Sequence, residues 1–67
     1  MTFFEAMQEI IKGRIVTDSK WNNTNEYCLI NPRNSYLSIH KAGEPDDVLH
    51  EWLIHTQDML STTWVIK

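Results

Sequence analysis

The sequence predicts an α+β fold: an N-terminal helix packed on a small antiparallel β-sheet, with a short helical turn before the last strand. Three observations carry it. The chain opens on a capped stretch of helical periodicity. From residue 14 onward its apolar residues come in short runs broken by turn chemistry. The last run, Trp64-Val65-Ile66, reads as a terminal strand.

Thr2-Phe3-Phe4-Glu5 is a capping box, in which the Thr2 hydroxyl accepts from the Glu5 amide and the Glu5 carboxylate from the Thr2 amide. Phe3, Ala6, Met7, Ile10 and Ile11 then share one helical face, and Gly13 suits the left-handed position beyond a helix end. The helix is placed at residues 3–12. Residues 14–17 form a short β-like run, and 18–25 a polar loop carrying Trp21. Residues 26–31 and 36–40 form a hairpin around the turn Asn31-Pro32-Arg33-Asn34-Ser35. In its second strand Leu37 and Ile39 face one way. Tyr36, Ser38 and His40 face the other, read as a solvated sheet face or, alternatively, a pocket wall. After a turn at 42–47, residues 48–54 read as a strand with His50, Trp52 and Ile54 on one side. Residues 56–61 make one helical turn with Thr56 as N-cap, and residues 63–66 the last strand.

At 67 residues the chain is a single domain. A domain of this size buries only about 60% of its unfolded surface and ordinarily needs a staple. The single cysteine, Cys28, forms no internal disulfide and lies in an apolar run, where it reads as an inert core thiol. Histidines 40, 50 and 55 are scattered, without zinc-ligand spacing, so no metal is expected. Self-association is the expected stabiliser, and seven aromatics suit a core plus an interface. A net charge of −3 argues against DNA or RNA as partner, which calls for a basic face. No stretch is long enough to span a bilayer, and no leader pattern is visible, so the cytoplasm is expected.

The order of motifs resembles the second family of Thoeris anti-defence proteins, small phage and prophage proteins. The matching residues are Phe4-Glu5-Ala6-Met7, Lys12-Gly13-Arg14-Ile15-Val16, Trp21-Asn22, Trp52, Asp58-Met59-Leu60 and Trp64-Val65-Ile66. Together they span both ends of the chain. The chain departs from the pattern at Asp18, where a basic residue is usual, at Glu51, where proline is frequent, and at Thr63, where an acid is common. Its central segment is also shorter. The resemblance implies a homo-oligomer, dimer or tetramer, that binds a cyclic nucleotide immune signal in the host bacterial cytoplasm and sequesters it without degrading it. No cofactor is implied.

On that reading Trp21, Asn22, Thr56, Gln57, Asp58 and Arg33 are the candidate ligand-binding residues. Trp21 offers a stacking surface worth about 1–3 kcal/mol per base, and the Asn22 amide a bond to a base edge or ribose. Asp58, flanked by Thr56 and Gln57, offers an acceptor for ribose hydroxyls or an adenine amino group. Arg33, with Lys41 and Arg14, is a candidate phosphate partner. Each also has a plain structural reading: Trp21 packing under the helix, Asn22 capping a turn, Asp58 capping a helix start, the basic residues as solubilising charge. Trp52, Met59, Leu60, Trp64 and Tyr36 are assigned to core or subunit interface. No nucleophile–base arrangement supports catalysis, so no catalytic residue is assigned. The alternative is a protein-directed inhibitor that occludes a host defence enzyme or complex through an acidic, aromatic surface.

Overall fold

The computed structural model describes residues 1–67. It has an N-terminal helix, a five-stranded antiparallel sheet and a short second helix, a small α+β fold. The order along the chain is α1 (Phe3–Ile11), β1 (Val16–Asp18), a 3₁₀ turn (Ser19–Trp21), β2 (Tyr27–Ile30), β3 (Leu37–His40), β4 (His50–Glu51), α2 (Thr56–Leu60) and β5 (Trp64–Ile66). Across the sheet the order is β4-β3-β2-β1-β5, so the last strand closes beside the first.

Helix α1 starts where both capping-box bonds form. The Glu5 amide donates to Thr2 Oγ1 at 3.2 Å, and the Thr2 amide to Glu5 Oε1 at 2.9 Å. It ends as Gly13 turns left-handed at φ +94°, its amide closing onto the Ile10 carbonyl. Ala6 and Ile10 are its buried residues, and they meet a row of sheet residues fixed by register, Val16 opposite Cys28 and Cys28 opposite Ile39. Trp52 and Trp64 complete the buried apolar set.

Trp64 is the hub. Phe3, Trp21 and Trp52 stand edge-on to it with ring centroids 6.0, 5.3 and 5.6 Å away, the favourable quadrupole arrangement. Its indole N–H donates to the Asp58 carbonyl at 3.1 Å, which pins α2 to the sheet and leaves no buried indole donor unmade.

Several boundaries differ from the sequence expectation. Strand β1 begins at Val16 rather than residue 14, because the Arg14 amide still bonds back to Glu9 in the helix terminus. The loop expected at 18–25 starts later, since Asp18 ends β1 and its carboxylate then caps the 3₁₀ turn through the Lys20 amide. The strand expected over 48–54 shrinks to His50–Glu51: the Val48 amide turns back to Pro45, and β3 has only four residues to pair with. The N-cap of α2 is His55, one residue before Thr56, its amide held by the Asp58 carboxylate at 2.9 Å. The face of Ser38 and His40 is not solvated. Both are buried, while Tyr36 on the same side is exposed. No helix of this structure is long and apolar enough to cross a membrane.

Candidate functional site

Where α1 ends its cover of the sheet, a cleft of about 490 Å³ opens between α2 and the β3–β4 end. Its floor is Ile39 and its aromatic walls are Trp21 and Trp52. The rim carries Glu26, Lys41, Glu44, His50, Glu51, His55 and Asp58. Trp21 and Asp58 come from distant parts of the chain and are brought together by Trp64, which packs on the first as a ring and holds the backbone of the second. Trp21 is only partly buried, so part of its indole stays open to the cleft.

The Asp58 carboxylate does two things at once. One oxygen accepts from the His55 amide, and the His55 ring nitrogen Nδ1 lies 3.7 Å from it. That is a capping role at a helix start. The group also borders the cleft, where it can accept from a hydroxyl or amino donor. On the opposite rim His50 Nε2 bonds the Glu44 carboxylate at 2.8 Å. The cleft therefore presents four carboxylates against one lysine, with two imidazoles between them.

The other sequence-assigned residues lie elsewhere. Asn22 adopts the left-handed conformation at φ 53° and lines a neighbouring groove with Asp18, Asn23, Asn25 and Lys67. Thr56 and Gln57 are exposed on α2 and do not line the cleft. Arg33 stands on the far side of the sheet, beside Asp46, Asp47 and Tyr27. Arg14 faces Glu9 at 3.6 Å. Met59, Leu60 and Tyr36 are all exposed, with Leu60 at 75%.

Two buried polar groups outside the candidate ligand-binding set fix segments that border the cleft. Asp18 is 3% exposed. Its carboxylate accepts from the Ser61 hydroxyl at 2.6 Å, from the Thr63 hydroxyl, and from the Lys20 amide at 3.0 Å. Burial pushes this carboxyl up. The two hydroxyls, the amide and the nearby Lys20 ammonium outweigh it, so Asp18 titrates below the ordinary aspartate value. The bonds tie β1 to the segment that follows α2 and so fix where α2 sits. The second group is His40, fully buried on β3. Cys28 is sealed in the core. Burial, with the Asp58 and Glu26 charges, drives its thiol far up and leaves no nucleophilic thiolate.

Comparison with known proteins adds no relative: no family model, curated protein or solved structure matches this chain.

Proposed function

We propose that the protein acts by binding: it captures a cyclic nucleotide signal, a cyclic ADP-ribose isomer or cyclic oligonucleotide, and lowers its free concentration without cleaving it. The observation that carries this reading is the meeting of Trp21 and Asp58 in one cleft. Both belong to the motifs through which the chain resembles the Thoeris anti-defence proteins, and they lie 37 positions apart in sequence. A cleft of about 490 Å³ is in the range of small-molecule sites. Trp21 and Trp52 suit a base, and the carboxylates suit amino and hydroxyl donors. Lys41 is the single lysine at the rim, so further cations for the phosphates come from a second copy of the chain in a homo-oligomer. Such a protein works in the cytoplasm of a phage-infected bacterium, where the signal is made.

Equilibrium dialysis against cyclic ADP-ribose isomers and cyclic dinucleotides tests this. The expected result is stoichiometric uptake, with chemically intact ligand released on heating. Release of a cleaved product would replace sequestration with hydrolysis. No uptake of any of them would favour the second reading, a protein-directed inhibitor of a host defence enzyme. That reading has its own support in the four rim carboxylates and in the exposed Phe4, Ile11, Leu53 and Leu60.

A further inference from the structure

His40 has no solvent exposure, and both of its ring nitrogens face carbonyl oxygens. Nδ1 lies 2.7 Å from the Asn25 carbonyl. Nε2 lies 3.1 Å from the Glu44 carbonyl and 3.2 Å from that of Pro45. A carbonyl oxygen only accepts. A neutral imidazole carries one N–H, so it would set a lone pair against a carbonyl lone pair on its other side, where no water reaches. Only the imidazolium donates at both ends. The ring stacks on Tyr27 with centroids 4.7 Å apart and planes 8° from parallel, a face that favours a cation.

We propose that His40 is a buried cation that clamps the segment 41–49 onto the sheet, and thereby positions one rim of the cleft in a pH-dependent way. The segment supplies Lys41 and Glu44 to that rim, and Glu44 in turn holds His50. Two of the three carbonyls that bond His40 belong to it. Losing the proton leaves the single N–H on Nδ1, where the 2.7 Å bond to Asn25 is the shorter, and removes the bonds from Nε2 to Glu44 and Pro45, so the segment is released.

The charges around the ring have mixed signs. Asp46 Oδ1 stands 3.8 Å from Nε2 and favours the cation. Lys67 Nζ lies 5.2 Å from the Tyr27 ring centre and opposes it through that ring. Arg33 and Asp47 border the groove beside Tyr27 and offset one another. The bond to Asn25 is the largest influence raising the His40 value, against burial, with Glu44, Pro45 and Asp46 adding to it. Since the folded value is raised, the clamp is complete below the ordinary histidine value of about 6.5 and is lost as pH rises through the higher folded value.

Nitrogen-15 imidazole spectra of the unliganded protein, recorded with amide-exchange protection factors from neutral to alkaline pH, test the proposal without any ligand. His40 is expected to be doubly protonated at neutral pH. Protection of the Glu44 and Val48 amides, which bond the Lys41 and Pro45 carbonyls, is expected to fall at least threefold through its titration, while that of Ile10 and Cys28 holds. Asp46→Asn, at a side chain that is 89% exposed, is expected to lower the midpoint and leave the fold intact. His40→Gln, if it folds, is expected to show weak protection at the Glu44 and Val48 amides at every pH. A neutral single tautomer at neutral pH would overturn the assignment of charge. Titration of His40 with unchanged protection at the Glu44 and Val48 amides would overturn the clamp.

Discussion

On the helix-bearing face of the sheet, Trp64 is enclosed by Phe3, Trp21, Trp52 and the underside of α1, and its one polar atom bonds a backbone carbonyl. On the other face His40 is equally enclosed, but by Tyr27 and three carbonyls of the chain. The first burial is driven by removing apolar area from water and varies little with pH. The second depends on a proton. Asp18 lies at the border of the first region, where a carboxylate is kept charged by two hydroxyls and an amide. A chain of this size has few buried residues to spend, and two of them are ionic. Both ionic groups hold down segments that border the cleft, whereas the aromatic cluster supplies its wall. The aromatic side of the molecule thus provides stability, and the ionic groups place the pieces around the site.

The sharpest way to break the comparison is at Trp64. Trp64→Ala removes the hub and the anchor of α2 together, and the expected loss is about 3–5 kcal/mol. That matches the whole stability, about 3–5 kcal/mol, that a single core ordinarily supplies to a chain of fewer than about 70–80 residues. Urea unfolding followed by circular dichroism should show a protein unfolded or barely folded at room temperature. A loss below about 1 kcal/mol would mean that the cluster is not the centre of the core.

A smaller effect is expected at Asp18. Asp18→Asn keeps an acceptor but loses the charge that strengthens its bonds, and leaves Ser61 or Thr63 short of a partner. The expected cost is about 1.5–3 kcal/mol. The sign with pH is the reverse of that at His40. Asp18 has a lowered folded value, so its stabilisation is complete above the ordinary aspartate value and is lost as pH falls through the lower folded one. Acid unfolding of the wild type should therefore have a component that Asp18→Asn lacks. Parallel acid profiles of the two proteins would show that the carboxylate is not held charged.

The mildest change is expected at Asp58, whose structural role is the start of a five-residue helix. Asp58→Ala should cost about 0.3–1 kcal/mol, seen as a shift of a few degrees in thermal unfolding. A much larger loss would make Asp58 a structural residue first and weaken its claim on a ligand.

How much of this could be read from the sequence depends on how local each signal is. Thr2 and Glu5 are three residues apart and bond as their spacing requires, so α1 was legible to within a residue. The β2–β3 pairing follows from two apolar runs around the Asn31–Ser35 turn, with Asn31 and Asn34 side chains capping it. The burial of His40 was not legible. Alternation along β3 says which residues share a side, but not that the loop beyond will fold back over that side. Its bonding partners lie 15 residues behind and four to five ahead, in loops without periodicity. Asp18 stands out in the sequence only as a departure from a motif, because its hydroxyl partners are 43 and 45 residues away. For the cleft, Trp21 and Asp58 were named from motifs. What joins them is the tertiary packing of Trp64, which no local pattern encodes. Asn22, next to Trp21 in sequence, faces a different groove because its left-handed backbone turns it away.

The central claim is that Trp21 and Asp58 act on one ligand in one cleft. The most direct measurement is the ligand-induced thermal shift of the wild type, Trp21→Ala and Asp58→Asn against the same panel of cyclic ADP-ribose isomers and cyclic dinucleotides. A ligand at a hundredfold over its Kd stabilises the native state by about 2.7 kcal/mol. The wild type should show a shift of that order with at least one member of the panel. Both variants should remain folded, melt lower without ligand, and lose most of the shift. A shift of full size in either variant, or none in the wild type with any member of the panel, would contradict the claim.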